Sequence, residues 1–216
     1  MAEQQVKSRE RVAEHGEVFT AEREVKAMCD LVKSETERIE SRFLEPACGN
    51  GNFLAEILRR KLAVVTQRYG KSPCEFEKYS VIAVSSLYGV DILEDNAQEC
   101  RDRLFNIWDT AYSDCVKKQV SRECRDTVHF ILNKNILCGD ALTMQQADGM
   151  PIVFAEWSFV TGNQVKRRDY ELAEMMKDAE PQANLFMTYN TEVKAMIPTP
   201  IREYPLTDYR RVQNYE

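Results

Sequence analysis

The stretch Phe43-Leu44-Glu45-Pro46-Ala47-Cys48-Gly49-Asn50-Gly51-Asn52-Phe53 decides the fold. It predicts a short buried strand, a turn marked by two glycines, and the start of a helix that continues through Leu58. Gly49 and Gly51 have no Cβ, so the backbone can take a positive φ and approach a ligand closely. The N-terminus of the following helix offers unpaired N–H groups to a negatively charged partner. Glu45 ends the strand, where a carboxylate would meet the polar or cationic end of that ligand.

These eleven residues resemble the S-adenosylmethionine-binding loop of the DNA adenine-N6 methyltransferases of restriction-modification systems, whose pattern is close to Asp/Glu-Pro-Ala-Cys-Gly-Ser/Asn-Gly-x-Phe. A glycine-rich turn alone is a weak signal because many turns need glycine, but the complete string is far more specific. The resemblance implies an α/β fold with a doubly wound, mostly parallel sheet of Rossmann-like methyltransferase type and N-terminal helices. It implies S-adenosylmethionine as the cofactor, with contacts in this stretch from Glu45, Ala47, Cys48, Gly49, Gly51, Asn52 and Phe53.

Length and composition are those of a soluble globular protein. A chain of 216 residues with 44% hydrophobic and 30% charged residues fits one ordinary domain with a proper core. No run of about 18 apolar residues predicts a membrane-spanning helix, and the charged start lacks an apolar signal core. Seven cysteines without a C-x-x-C pair argue against a disulfide framework and against a zinc site. We therefore expect a cytoplasmic protein with no membrane partner and no bound metal.

The net charge of −6, from 29 basic and 35 acidic residues, is not typical of an autonomous nucleic-acid binder. Neutralising phosphates requires a concentrated basic face. A contact with DNA is therefore expected from a local patch or from another polypeptide. The best candidate for such a patch is the run Lys166, Arg167 and Arg168, although a solvated helical face is the more common meaning of such a run.

Two helices are predicted before the glycine-rich stretch. Residues 1–16 are polar with little apolar stripe and predict a frayed helix. Residues 21–37 predict a second helix with Thr20 as its N-cap. Its apolar residues recur at i, i+3, i+4 and i+7, which predicts one core-facing stripe made of Val25, Met28, Cys29 and Val32.

The residues that lead into the second helix add to the resemblance. Gly16, Phe19 and Thr20 match the family's Gly-x-Phe-Tyr/Phe-Thr-Pro segment, with Ala21 in place of the proline. The resemblance implies that this segment closes over the methionine end of the cofactor, with Phe19 and Thr20 as contacts. Taken alone, the same residues are equally consistent with a plain helix start.

A second acidic residue is predicted to end a strand. Residues 81–92 are rich in β-formers, follow a predicted loop over 68–79, and lead into Asp91 and Ile92. An acid at this position can accept hydrogen bonds from both ribose hydroxyls. The separation from Gly51 is 40 residues (91 − 51) rather than the usual 20 or so, which a long first helix and a loop account for. Because Tyr-Gly-Val-Asp-Ile is also the family's form, the resemblance implies Asp91 and Ile92 as ribose contacts rather than surface turn residues.

A third short strand is predicted over 135–142, and the resemblance implies that Asp140 and Ala141 lie beside the adenine. Glu45, Asp91 and Asp140 would then line one crevice at the carboxyl edge of the sheet, where open α/β sheets bind ligands. Between the second and third strands, residues 94–124 predict a long helix broken near 109–113. His129 is expected to be a structural histidine.

The predicted fourth strand, residues 151–159, ends in Glu156-Trp157-Ser158-Phe159. At this point the family carries Asn/Asp-Pro-Pro-Tyr/Phe, whose acceptors bind the target amine and whose ring stacks on the flipped base. The resemblance therefore implies Glu156 and Phe159 as catalytic residues. Both prolines are missing, however, and Trp157 adds bulk where the base would enter.

Three segments follow from these predictions: an N-terminal helical segment over 1–38 that closes over the cofactor, an S-adenosylmethionine-binding α/β core over 39–160, and a charged helix with an extended C-terminal tail over 161–216. Only 57 residues follow Phe159 (216 − 159), so the sheet is expected to be truncated. The charged helix is predicted over 162–179. From Glu180 onward, prolines and tyrosines predict a tail that depends on a partner.

Two functions from different classes remain open. The first is an S-adenosylmethionine-dependent DNA methyltransferase specific for adenine N6, or the cofactor-binding part of one, in a restriction-modification system. The second is a non-catalytic S-adenosylmethionine-binding accessory or remnant protein that docks on a partner chain. A methyltransferase that acts on RNA or on a small amine is a third, weaker possibility. The tetrapeptide 156–159 separates the first two, because a retired site would bind cofactor without transferring a methyl group.

Overall fold

The computed structural model describes residues 6–177 and 199–215 of the chain. The helices are, in chain order, α1 (Arg9–His15), α2 (Glu22–Leu31), α3 (Lys33–Thr36), α4 (Asn52–Tyr69), α5 (Pro73–Ser85), α6 (Glu94–Val116), α7 (Arg122–Asn135) and α8 (Leu172–Lys177). Short 3₁₀ helices cover Lys117–Gln119 and Tyr209–Asn214.

A parallel sheet is formed by β1 (Phe43–Glu45), β2 (Leu87–Asp91) and β3 (Ile136–Cys138), in the order β1-β2-β3. All five residues of β2 are buried, as expected for the central strand of a parallel sheet. The register places Glu45 beside Gly89 and Asp91 beside Cys138. The carboxyl ends of the three strands therefore meet at one edge.

Helices α4 to α7 pack against one another and cover one face of this sheet. Leu87 belongs to the same core cluster as Leu54, Phe76 and Trp108, which these helices contribute. Trp108 is fully buried, and its indole Nε1 donates to the Oγ of Ser80 at 2.9 Å. The large apolar faces of the four helices thus make the main core of the protein.

A second, antiparallel sheet covers part of the other face. Its strands are β4 (Val153–Phe159), β5 (Gln164–Glu171), β6 (Arg202–Glu203) and β7 (Thr207–Asp208). Phe154 packs with Tyr88 and Val90 of β2, and the Tyr88 hydroxyl donates to the carbonyl of Ala155 at 3.0 Å. Since β4 and β5 pair along their length, the segments before and after residue 160 share one sheet.

The expectation that residues 151–159 extend the parallel sheet is wrong. β4 pairs with β5 in an antiparallel hairpin, whose turn has Gly162 at a φ of +65°. The end of β4 lies where the parallel strands begin, because Trp157 Nε1 donates to Asn135 Oδ1 at 3.0 Å just before β3. A short local turn allows this pairing at a low entropic cost, whereas a parallel pairing needs a long crossover.

Two segments of predicted secondary structure are also corrected. Residues 73–79 of the predicted loop over 68–79, together with the first part of the predicted strand over 81–92, form α5, with Pro73 at its first turn; residues 68–69 end α4. Val81 and Val84 are both fully buried, and a short, continuous apolar run fits a buried helix as well as a buried strand. The predicted break near 109–113 lies instead after Val116, and Ser121 caps α7 by accepting from the backbone N–H of Cys124. His129 lies on α7, stacked on Phe105.

The charged helix predicted over 162–179 is wrong for residues 164–171, which form β5. Its basic run is ion-paired: Lys166 with Glu203 at 2.9 Å, Arg167 with Asp169 at 2.7 Å, and Arg168 with Glu156 at 3.4 Å. The three basic side chains proposed to bind DNA phosphates are therefore already paired with carboxylates. Of the predicted extended tail, residues 180–198 lie outside the described residues, while Tyr204 and Tyr209 are buried against the rest of the protein.

The N-terminal helices agree only in part with the predicted pattern. The second predicted helix breaks at Val32 into α2 and α3, and its N-cap is Ala21 rather than Thr20. Of the predicted stripe, Val25 and Cys29 are buried, whereas Met28 and Val32 are 53% and 47% exposed. Within the described residues, no helix has both the length and the apolar character needed to cross a membrane.

A buried carboxylate, Glu77, joins three elements of the core. It accepts hydrogen bonds from the hydroxyls of Tyr112 at 2.6 Å and Tyr209 at 2.8 Å, and from Arg210 Nε at 2.6 Å. Burial, with the nearby Glu77 carboxylate, raises the pKa of both phenols, so both remain donors. Glu77 thus links α5 to α6 and to the C-terminal 3₁₀ helix.

We predict that Glu77→Ala lowers the free energy of unfolding by about 3–5 kcal/mol, because it leaves the buried hydroxyls of Tyr112 and Tyr209 without their acceptor and the partly buried Arg210 guanidinium without its nearest carboxylate. Urea denaturation at neutral pH measures the change. Arg122→Ala is the control, since this side chain is 94% exposed and its ion pair spans 3.8 Å; its effect should stay within about 0.5 kcal/mol. A loss below about 1 kcal/mol for Glu77→Ala would contradict the assigned role.

Candidate functional site

A cavity of about 620 Å³ opens at the carboxyl edge of the parallel sheet. Its walls are the ends of β1, β2 and β3, the start of α4, and the segment between α1 and α2. The lining residues are 16–20, 45–50, 52–53, 91–93, 96 and 139–142. The cavity is within the range of volumes that small-molecule and cofactor sites occupy.

The glycine turn has the backbone geometry that its sequence predicts. Gly49 and Gly51 take φ values of +51° and +84°, in the left-handed region that favours glycine. A Cβ on Gly51 would lie 2.7 Å from the Sγ of Cys100, and one on Gly49 would lie 3.1 Å from the ring of Phe19. Gly51 lines no part of the cavity; its role is to let α4 begin against the buried Cys100.

Asp91 joins the glycine turn to the central strand. Its Oδ2 accepts from the backbone N–H of Gly49 at 2.8 Å, and its Oδ1 accepts from the N–H of Leu93 at 2.9 Å and from Asn96 Nδ2 at 3.2 Å. The residue is 8% exposed. An ionised carboxylate offers about four acceptor positions, so about one remains for a ligand in the cavity. The structural bonds of this carboxylate were not foreseen from the sequence.

Glu45 lies at the end of β1 and is partly buried. Burial raises the pKa of its carboxyl group, against the opposing effect of a hydrogen bond from the backbone of Ala47. A carboxylate that loses part of its hydration is stabilised by a positive charge placed beside it. This end of the cavity is therefore suited to a cationic group.

The third acid, Asp140, lies at the rim. Its Oδ1 accepts from the N–H of Leu142 at 2.8 Å and its Oδ2 from the hydroxyl of Thr143 at 3.1 Å. Ile92 is 58% exposed and Leu142 is 94% exposed, so the rim also offers apolar surface. A ligand with a flat ring and a polar edge would find both kinds of contact here.

The segment 16–20 covers one side of the cavity. Phe19 packs over the glycine turn, and the carbonyl of Thr20 accepts from Asn52 Nδ2 at 3.0 Å. Asn52 in turn accepts from Arg103. Thr20 is thus held through its backbone carbonyl. The Asn52 side chain connects this segment to α4, a role that the sequence pattern did not indicate.

The structure therefore brings together in one cavity almost all of the residues that the resemblance assigned to the cofactor. They are Phe19, Thr20, Glu45, Ala47, Cys48, Gly49, Asn52, Phe53, Asp91, Ile92, Asp140 and Ala141. Glu17 and Asn96 line the same cavity and were missed, because neither belongs to a recognisable motif. Within the described parts of the chain, no cluster of three or more His, Cys, Asp or Glu side chains could hold a metal ion.

The two residues predicted to be catalytic lie elsewhere. Glu156 accepts from Arg42, which immediately precedes β1, and from the hydroxyl of Ser158 at 2.7 Å. Arg42 and Glu45 are three residues apart, or about 10 Å along an extended strand. Glu156 is therefore at the amino edge of the parallel sheet, while the cavity is at the carboxyl edge.

Phe159 is on the same side as Glu156. Together with Trp157 and Ser158 it lines a different cavity of about 450 Å³, which also includes Arg42 and Ser86, the residues just before β1 and β2. Glu156 and Phe159, which the resemblance implies as catalytic residues, therefore do not line the cavity at the carboxyl edge. The physical reason is the reversed direction of β4, which carries the end of the strand away from the carboxyl edge.

Comparison with known proteins finds a matching family model and a matching curated protein, but no matching solved structure. The family model of the MmeI DNA-methyltransferase domain matches residues 20–186. DNA methyltransferase A of Bacillus subtilis (strain 168) is 27% identical over 125 residues, which is 56% of this chain and 14% of that protein. The chain thus matches only a small part of the length of this relative. No solved structure matches the chain.

We predict that Gly51→Ala destabilises the protein by about 1–3 kcal/mol more than Gly149→Ala, because only the first adds a buried overlap. The two glycines have nearly equal φ values, +84° and +81°, but a Cβ on Gly149 meets no atom within 4 Å. The cost of the left-handed conformation therefore cancels in the comparison of the two unfolding free energies.

Cys100→Ala should recover part of the stability that Gly51→Ala loses, since it removes the sulfur that the new methyl group meets. Thermal or urea denaturation of the single and double variants measures this coupling. Equal losses for Gly51→Ala and Gly149→Ala, with no recovery in the double variant, would show that the close approach to Cys100 is unimportant.

Proposed function

The chain belongs to the family of MmeI DNA-methyltransferase domains, and from this membership we propose that it is the S-adenosylmethionine-binding part of a DNA methyltransferase specific for adenine N6, acting in a restriction-modification system in the cytoplasm. The observation that carries the proposal is the cavity at the carboxyl edge, which joins a glycine turn, three strand-end acids and a covering aromatic residue. DNA is the proposed substrate.

The proposed roles follow the chemistry of each wall. Asp91, with Ile92 beside it, accepts from a ribose hydroxyl through its remaining acceptor position; Asp140 and Ala141 meet the adenine edge. Glu45 faces the cationic end of the ligand, which suits a carboxylate whose pKa is raised by burial. The glycine turn and the start of α4 approach the methionine part closely, and Phe19 keeps water from it.

The proposed fold is one half of a doubly wound, Rossmann-like methyltransferase sheet. In such a sheet the chain winds in one direction from the first strand and then reverses, and the ligand binds beside the switch point. Here the chain winds from β1 through β2 to β3, and helices α4 to α7 lie on one face. This is the arrangement expected of the first half.

Bound S-adenosylmethionine would supply an electrophilic methyl group on a sulfonium. The part of this chain in catalysis is positioning: Glu45, Asp91 and the glycine turn hold the donor in one orientation, and Phe19 limits access of water. The acceptors that orient the adenine amine are proposed to come from a partner chain, because Glu156 and Phe159 are at the opposite edge of the sheet. The same partner would supply target recognition.

The location of Glu156 also favours the second candidate, a non-catalytic accessory protein that binds the cofactor and docks on another chain. Calorimetry with S-adenosylmethionine, followed by tritiated methyl transfer to adenine-rich duplex DNA, separates the two. The transfer assay is run with the chain alone and with the products of neighbouring reading frames. Transfer to adenine N6 in either case supports the first candidate, binding without any transfer supports the second, and no binding contradicts both.

We predict that Asp91→Ala weakens S-adenosylmethionine binding by about 1–3 kcal/mol, or about 5- to 150-fold in Kd, because a buried ribose hydroxyl loses its acceptor and the glycine turn loses the carboxylate that binds Gly49. Asp148→Ala is a matched control, since its Oδ1 also accepts from a backbone N–H two residues on, at Met150, but outside the cavity. Calorimetry of both variants measures the difference. An equal affinity for wild type and Asp91→Ala would contradict the assigned ribose contact.

We predict that the affinity for S-adenosylmethionine falls as the pH is lowered through the pKa of Glu45. The ionised carboxylate attracts the cationic ligand and the protonated form does not, so affinity is complete above this pKa and lost below it. Because burial raises the pKa of Glu45, the fall begins at a higher pH than an exposed glutamate would give.

Glu45→Gln should lower the affinity at neutral pH by about tenfold and flatten this pH dependence. Glu40→Gln, a change of the same kind at an exposed residue outside the cavity, should leave both unchanged. A titration by calorimetry between pH 4.5 and 8 measures the profiles. Parallel profiles for wild type and Glu45→Gln would rule out Glu45 as the group responsible.

A further inference from the structure

Ion pairs hold α1, and Lys7 just before it, against the start of α6 beside the cavity. Lys7 Nζ lies 3.2 Å from a carboxylate oxygen of Asp95 and 2.8 Å from one of Glu99, and Arg11 also pairs with Asp95. Gly16 ends α1 at a φ of +65° and turns the chain back over the cavity. The segment 16–20 that covers the cavity is therefore anchored at its beginning by α1.

Glu17 is the buried residue through which the segment 16–20 contacts α1. Its side chain is only 7% exposed, and its carboxylate lies 2.7 Å from Arg11 Nε and accepts from Arg11 Nη2 at 2.8 Å. It also accepts from Asn96 Nδ2 at 2.6 Å. A charge buried to this extent is costly unless it is paired, so Glu17 and Arg11 hold each other in place.

Asn96 joins this pair to the site. It is 1% exposed, and its Oδ1 accepts from Lys7 Nζ at 2.8 Å and from Arg11 Nη2 at 3.2 Å. Its Nδ2 donates to Glu17 at 2.6 Å and to Oδ1 of Asp91 at 3.2 Å. The amide is therefore oriented without ambiguity: its oxygen faces the cations and its nitrogen faces the carboxylates.

We propose that Arg11, Glu17 and Asn96 form a polar latch that positions both the segment 16–20 and the Asp91 carboxylate, and so sets how long a ligand stays in the cavity. This proposal rests on the proposed function for the identity of the ligand, S-adenosylmethionine. We assign the three latch residues a positioning role that acts through Phe19 and Asp91, rather than a catalytic one.

The latch couples two walls of the cavity that the parallel sheet does not connect. Phe19 lies two residues after Glu17, and its ring packs over Gly49, whose N–H is bound by Asp91. Because Asn96 Nδ2 donates to both Glu17 and Asp91, a displacement of this amide weakens both hydrogen bonds. Opening of the covering segment and loosening of the ribose contact therefore occur together, which predicts an effect on ligand dissociation rather than on ligand association.

Asn96→Asp tests the latch most directly, because it keeps the size of the side chain but places a third carboxylate between Glu17 and Asp91. Arg11→Gln opens the latch from the side of α1 and serves if Asn96→Asp fails to fold. Asn106→Asp, at an exposed position of the same helix, is the control for the added charge.

Two measurements decide the proposal. Hydrogen exchange of the amides of residues 8–20, in the protein without added ligand, should become at least about tenfold faster in Asn96→Asp and in Arg11→Gln, but not in Asn106→Asp. Stopped-flow binding of S-adenosylmethionine should show dissociation at least about tenfold faster, with association changed by less than about threefold. A fold-wide increase in exchange would indicate general destabilisation instead and would overturn the latch.

Unchanged exchange over residues 8–20 in both variants would also overturn the proposal, as would an unchanged dissociation rate when wild type binds. Failure of wild type to bind S-adenosylmethionine would refute the proposed function. In that case the exchange measurement still decides whether Arg11, Glu17 and Asn96 hold the covering segment, since it needs no ligand.

Discussion

The Asp91 carboxylate is the contact on which the rest of the site depends. It accepts from the N–H of Gly49 and from the N–H of Leu93, so one side chain holds the glycine turn, the end of β2 and the start of α6 together. A backbone turn with two left-handed residues has few internal bonds of its own, and a charged acceptor beside it supplies a strong one. The same carboxylate faces the cavity, so the group that organises the turn is also available to a ligand.

Around this contact the cavity is assembled from elements that are distant in sequence. The parallel register brings the ends of β1, β2 and β3 to one edge, and α1 adds the covering segment through Arg11, Glu17 and Asn96. Much of the pre-organisation is polar and buried, in a low dielectric where each paired group is held strongly and each unpaired group is costly. This explains why a site whose residues are mostly distant from one another in the sequence can still have a defined shape.

The antiparallel hairpin of β4 and β5 separates the tetrapeptide 156–159 from the glycine turn. The reversed direction of β4 moves Glu156 and Phe159 to the amino edge, where Glu156 is bound by Arg42 and Arg168. Buried arginine and aromatic contacts around Trp157 and Tyr204 stabilise this second sheet. In the described part of the chain, the cavity at the carboxyl edge and the tetrapeptide 156–159 are therefore separated in space, which is the physical basis for proposing a partner.

Motif spacing and the family resemblance were sufficient to predict the glycine turn, the strands that end at Glu45, Asp91 and near Asp140, and most of the residues that meet in the cavity, though not Glu17 and Asn96. These features depend on local chemistry: a positive φ needs glycine, and a parallel sheet brings strand ends together. Periodicity failed at residues 73–85, where Val81 to Val84 are buried in a helix instead of a strand, and at residues 164–171, where charged residues alternate along β5. Only the tertiary structure decided the direction of β4 and the bonds of Glu17, Asn52 and Asn96, because these depend on contacts between segments that no local pattern relates to one another.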